Sequence, residues 1–351
     1  MALDRKNTHA KLTRLFKNST IKTIPHAGQK FAIISDIHLG NGGGADDFRD
    51  NEKILSRALD HYFKKDFTLI LLGDIEEFWQ FDLGDICMRY DKSIYSRMRK
   101  FGDDRIIRLY GNHDSEWGSA DDPATPKPVR SAVAAEALKL TDETGQNIDF
   151  FLVHGHQGSV ESDKNSWISR VAVRLFRGIE PVAAGLGLYG HGLSTKSQIR
   201  KDYERIMYSW ARKNNTVIIC GHTHRAIFAS RSHIERLHDR VDFLEAGIAA
   251  GGLTEKEIKR DKMTIRITKN FIKEEEAKDR DIDPLDLDGE PGPNYFNTGC
   301  GLYPDGLTML EIDNGLIRLV KWDTKKTDLA RRIVYESRKV TEIIAEATGR
   351  G

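Results

Sequence analysis

Five short apolar runs, each ending in a cluster of polar side chains, constrain this chain more than any other feature. Phe31–Ser35 ends in Asp36 and His38, and Thr68–Gly73 ends in Asp74. Arg105–Gly111 ends in Asn112, His113 and Asp114. Ile148–Val153 ends in His154 and His156, and Thr216–Gly221 ends in His222 and His224. The runs are five to seven residues long and rich in Ile, Val, Leu and Phe, as strands buried on both faces should be. Helical spacing separates several of them. Ile54, Leu55, Ala58, Leu59, Tyr62 and Phe63 line one face of a helix over 51–65. Ile86–Phe101 repeats the pattern up to a capping Gly102, and Thr195–Lys213 repeats it with Thr195 as N-cap. Strand–helix alternation predicts a layered α/β fold. In such sheets ligands bind beyond the carboxyl ends of the strands, so the polar clusters can converge on one site.

The second half reads differently. Lys262–Ile267, Tyr295–Cys300, Leu307–Ile312 and Leu316–Trp322 look like strands, and Asn314-Gly315 marks a tight hairpin between the last two. They suggest a second sheet packed on the first. Lys269–Asn294 is charged and ends rich in Pro and Gly, as an exposed insertion would be. Its acidic stretch is not a calcium loop, because Pro284 falls at the first ligand position. The tail from Asp328 to Thr348 reads as an amphipathic helix.

Charge and composition exclude several classes. Lys plus Arg is 54 against 53 for Asp plus Glu, which argues against a protein built to grip nucleic acid. Three scattered cysteines, Cys87, Cys220 and Cys300, form neither a disulfide framework nor a cysteine zinc site. No run reaches the roughly 18 apolar residues of a membrane span, and the N-terminus lacks the apolar core of a secretory signal. The expected compartment is the cytoplasm.

Carboxylate, imidazole and amide groups in this number suit two divalent cations, and mixed N and O ligation favours Mn, Zn or Fe over Ca. The motifs DIH (36–38), GDIEE (73–77), GNHD (111–114), HGH (154–156) and GHTH (221–224) stand in the order found in calcineurin-like metallophosphoesterases, which the chain resembles over about 31–226. The resemblance implies a four-layer α/β/β/α sandwich with a helical cap insertion. It assigns Asp36, His38, Asp74 and His224 to one metal, and Asp74, Asn112, His154 and His222 to the other, with Asp74 bridging. It implies a phosphomonoesterase or phosphodiesterase whose nucleophile is a hydroxide between two metal ions, Mn first among the candidates and Fe or Zn next. His113 takes the place of the family's leaving-group histidine, and Asp114 is expected to orient it by hydrogen bonding. Glu77 is expected to orient neighbours rather than bind metal, and His156 to lie behind the ligands or complete the His224 site.

The division that follows is an N-terminal extension (1–30), a metallophosphoesterase domain (31–324) and a C-terminal helix (325–351). Within the domain, 157–215 form the cap and 269–294 the exposed insertion. Trp167, Ile168, Val171, Val173, Leu175 and Phe176 alternate with Arg170, Arg174 and Arg177 in the cap. An apolar helix face with solvated arginines explains the pattern most simply. A pocket for an apolar tail and a phosphate is the sharper reading. That second reading suits a narrower resemblance, to UDP-2,3-diacylglucosamine pyrophosphohydrolases, which share GHTHR (221–225) and imply a nucleotide–lipid substrate and peripheral membrane contact. His113 in place of Arg, HGH in place of HGD and the longer C-terminal part depart from that group. The expected partner is therefore a small phosphorylated substrate. A non-catalytic metal-binding scaffold is the alternative of another class; it predicts missing ligands, and none is missing.

Overall fold

A computed structural model of the chain describes residues 4–115, 117, 133–157, 193–277, 285, 287, 291–324 and 330–350. The five apolar runs are strands: β2 (Phe31–Ile34), β3 (Thr68–Leu72), β4 (Ile106–Leu109), β7 (Ile148–Val153) and β8 (Val217–Cys220). They are divided between two seven-stranded sheets. In the first, β2, β3, β4 and β5 (Val133–Ala135) run parallel, and β12 (Leu307–Asp313), β13 (Leu316–Asp323) and β14 (Arg331–Lys339) extend it antiparallel from β2. In the second, β7, β8 and β11 (Tyr295–Thr298) run parallel. β1 (Thr23–Pro25) and β6 (Ala137–Thr141) flank them on one side, β9 (Ala226–Phe228) and β10 (Arg231–Ser232) on the other.

Alternation along each strand explains the layering. Phe31 and Ile33 of β2 join Ile70, Leu72, Phe150, Leu152, Ile219 and Leu310 in a core shared by strands of both sheets. Ala32 and Ile34 face the other way, into a second core with Leu55 and Leu59 of α2 (Glu52–Lys64) and Ile86 of α3 (Leu83–Tyr90). Phe151 and Val153 of β7 face a third core, built with Leu12 and Leu15 of α1 (Arg5–Lys17) and Met207 and Trp210 of α5 (Leu193–Lys213). Helices, sheet, sheet and helices thus stack in four layers. The short α4 (Ser96–Arg99) completes the α3 side through a π-helical turn at Asp91–Tyr95, and Gly102 follows with φ 72°.

Five expectations are corrected. The later strands form no sheet of their own: β11 joins β8, and β12 pairs with β2. Lys262–Ile267 lies inside a helix, α7 (Glu255–Glu276), antiparallel to α6 (His233–Ala250). Its alternating Met263, Ile265 and Ile267 mimic a strand, but the capping box of Thr254 with Glu257 starts a helix that carries through them. The tail is helical only in α8 (Val340–Thr348); Arg331–Lys339 pairs antiparallel with β13 instead, with a bulge between Leu319 and Val320. The stretch counted as an N-terminal extension carries α1, whose apolar face is part of the third core. Trp210 and its neighbours show that α5, the end of the expected cap segment, belongs to the outer layer, whereas 158–192 lie outside the described residues. The expected hairpin is present, with Asn314 and Gly315 at φ 51° and 70° between paired Asp313 and Leu316.

Candidate metal centre

The sharp turns after β2, β3 and β8 use the polar residues themselves. Asp36, His38, Asp74, His222 and His224 have φ of 51°, 51°, 52°, 68° and 60°. Such angles are uncommon for residues with a side chain and cost about 1–3 kcal/mol each, so the surroundings must impose them. They do so through backbone bonds between neighbouring loops. Asp36 N donates to Gly73 O (3.1 Å), His38 N to Asp74 O (3.0 Å) and Gly221 N to His154 O (2.8 Å). Two glycines are required by close approach: a Cβ on Gly111 would collide with the Asp74 carboxylate, and one on Gly221 with Ser35 and Asp36.

Two groups that could hold a metal ion result, Asp36, His38 and His224, and Asp74, His154 and His222, beside a third of His38, Glu77 and His113. The groups adjoin. Asp74 Oδ2 is 3.0 Å from His154 Nε2 and 3.9 Å from His38 Nε2, while Asp36 Oδ1 is 3.3 Å from His224 Nε2 and 3.9 Å from both His38 and His154 Nε2. Tautomers are set from behind. His154 Nδ1 donates to the Leu72 carbonyl at 2.9 Å, and His38 Nδ1 to Glu77 Oε2 at 2.8 Å, leaving both Nε2 atoms for the interior. Asp36 also accepts from Ser35 Oγ, which lies 2.6 Å from Thr298 Oγ1 of β11, and from His222 N at 2.9 Å.

The electrostatics fit a cation site. Burial opposes charge on His154, yet the Asp74 and Asp36 carboxylates raise its pKa to about 10. Burial likewise opposes charge on His38, and the hydrogen bond to Glu77 carries it to about 9. Asp74 is held well below the usual carboxylate range despite burial, chiefly by His154. Burial pushes His222 well below its ordinary value. The carboxylates attract positive charge, in this form protons. Asn112 adds a buried Oδ1 with no hydrogen-bond partner among the described residues. Oxygen and imidazole donors around shared carboxylates suit divalent transition ions.

Beside these groups stands His113, with its ring centroid 4.7 Å from that of His38. Its Nδ1 donates to Glu77 Oε1 at 2.8 Å, so Glu77 orients His38 and His113 together. Burial would raise the Glu77 carboxyl, but the bonds from His113 and His38 hold its pKa at about 2. His38, Glu77 and His113 are therefore a hydrogen-bonded triad, not a third ligand set. The expected bond from Asp114 to His113 is not made. Asp114 accepts from Gly111 N (2.6 Å) and Ile75 N (2.9 Å), tying the β3 and β4 turns together; burial and Asp74 raise its pKa to about 6. His156 enters neither ligating group, its ring 5.6 Å from that of His154. Sequence reasoning missed Trp79, which stacks on His113 at 4.0 Å and donates to Asn112 O at 3.0 Å; an aromatic two residues past GDIEE was the only sign.

A family model described as calcineurin-like phosphoesterase matches residues 29–226, more than half of the 351-residue chain. The chain belongs to that family, and it is a hydrolase acting on phosphoric esters, a class that uses divalent metals. No curated protein matches it.

Proposed function

We propose that the two groups hold one divalent ion each, with Asp74 shared, and that the protein hydrolyses a phosphomonoester or phosphodiester. The observation that carries this is the position of Asp74 Oδ2, within 4 Å of an imidazole nitrogen from each group. Asp36, His38 and His224 would bind one ion; His154, His222 and Asn112 the other. Mn is the first choice for the donor set, with Fe or Zn next. Bound ions would supply a deprotonated water as nucleophile and offset charge on the phosphoryl oxygens.

The remaining work falls to the chain. His113, with Nδ1–H committed to Glu77, would in its imidazolium form present Nε2–H to give a proton or hydrogen bond to the departing oxygen. Trp79 and Glu77 fix that ring from two sides. Asp114 keeps the turn bearing Asn112 and His113 in register with the turn bearing Asp74. Cysteines that form no disulfide among the described residues, Cys87 and Cys220 with them, support a cytoplasmic setting.

The test uses Mn-loaded protein with p-nitrophenyl phosphate and bis(p-nitrophenyl) phosphate. Turnover of either ester, removed by chelator and restored by Mn, is expected. Metal-loaded protein that cleaves neither, or chelated protein that cleaves them equally well, overturns the reading.

A further inference from the structure

We infer that Trp79 is a positioning residue for His113, and that the pair commits the centre to esters of alcohols that depart poorly without a proton. The inference rests on the phosphoesterase reading above and narrows its substrate class. In the reaction the attacking water oxygen forms the new bond to phosphorus, the P–O bond to the alcohol breaks, and the alcohol oxygen takes the bonding pair and the His113 proton. An activated aryl ester or an acyl phosphate departs without that proton. A simple aryl or aliphatic ester depends on it, so the aim of the donor decides how fast such an ester is cut.

Three successive residues hold that donor. Glu77 Oε1 accepts from His113 Nδ1 at 2.8 Å, and Phe78 N donates to His113 O at 3.3 Å. The Trp79 indole lies on the imidazole with 4.0 Å between centroids and 25° between planes. His113 N in turn donates to Asp74 Oδ1 at 2.8 Å, so its backbone hangs from the shared carboxylate. One hydrogen bond at Nδ1 fixes a point and leaves the ring plane free to swing about it. The indole face removes that freedom, and Nε2 keeps one direction. Proton transfer needs donor and acceptor within about 2.6–3.2 Å, a window that a swinging ring leaves for much of the time. The indole is itself oriented, because Nε1 donates to Asn112 O at 3.0 Å. Packing does not account for Trp79. Its neighbours Phe78 and Phe81 are buried in the core shared with α2 and α3, whereas Trp79 is half-buried and, among the described residues, belongs to none of the three cores.

The probes are p-nitrophenyl phosphate and phenyl phosphate, or the corresponding bis esters if the centre turns over diesters. Each pair shares its charge and nearly its shape, and differs in how well the leaving group departs unprotonated. The readout is kcat/KM of the Mn-loaded full chain, which covers every step through P–O cleavage. Trp79→Leu should lower kcat/KM for the phenyl ester about tenfold more than for the nitrophenyl ester, a part of the 10²–10⁴ that a positioned acid contributes. Trp79→Phe, which keeps a ring to stack, should stay closer to the parent ratio. In a His113→Ala background Trp79→Leu should leave the ratio unchanged, since no donor is left to aim. Damage to the metal centre through Asn112 lowers both esters together and does not move the ratio. Trp79→Met serves in the same way if the leucine variant does not fold. A ratio that loss of the ring leaves at the parent value, or one that shifts as far without His113, overturns the inference alone. A parent protein that turns over none of these esters sinks the hydrolase reading and this inference with it.

Discussion

Glu77 is the residue on which the orientations of a candidate ligand, His38, and of the proposed proton donor, His113, meet. One carboxylate accepts from the Nδ1 of His38 and the Nδ1 of His113, each at 2.8 Å. Its neighbour Glu76 does unrelated work, accepting from buried Arg108 (2.6 Å) and Trp117 (2.9 Å). His113→Ala should keep bound metal, measured by elemental analysis, yet lose about 10²–10⁴ of turnover, the usual contribution of a positioned acid. Full activity in that variant defeats the assigned role. Acid titration of the metal-free protein gives a second check. The Glu77 pKa is depressed from an ordinary 4.5 to about 2. Its stabilisation is therefore complete above pH 4.5 and lost as pH falls through about 2. Glu77→Gln should flatten the loss of stability across that window in acid unfolding curves. Gly111→Ala should fold and bind metal poorly, because the new Cβ meets the Asp74 carboxylate; normal metal content would refute the close-approach argument.

At the scale of elements, α8 closes one end of the core between the sheets with Val340, Ile343, Ile344 and Ala347. Truncating a buried aliphatic there leaves a cavity, so Ile343→Ala should cost about 2–5 kcal/mol in urea unfolding. A cost below experimental error would show that the helix is not docked as described. The strands that carry the site were legible because burial on both faces writes a continuous apolar run, as in Phe31–Ile34 and Val217–Cys220. Edge elements were not. Arg331–Lys339 is charged, half-exposed and paired only with β13, so nothing in its composition separates an edge strand from a solvated helix face. Lys262–Ile267 failed for the opposite reason: its alternation is real, but tertiary pairing with α6 and a strong N-cap favour the helix. The candidate ligand groups were legible through their spacing at strand ends. The orienting bond to His113 was not, since Glu77 reaches it from the β3 turn, whereas adjacency in sequence pointed to Asp114.

Across the whole molecule, the sandwich brings the ends of strands from both sheets to one place. Asp36, Asp74 and Asn112 follow strands of the first sheet, and His154, His222 and His224 follow strands of the second. The contact between sheets is thus what assembles the candidate ligand set, and no single sheet carries it. Asp74 faces His154 across that junction at 3.0 Å. Metal content of the loaded, desalted full-length chain, measured by elemental analysis alongside Asp74→Asn, tests this most directly. The account predicts roughly two Mn ions per chain in the parent protein and loss of affinity for both in the variant. A parent protein that holds no transition ion, or a variant that keeps both, would contradict it.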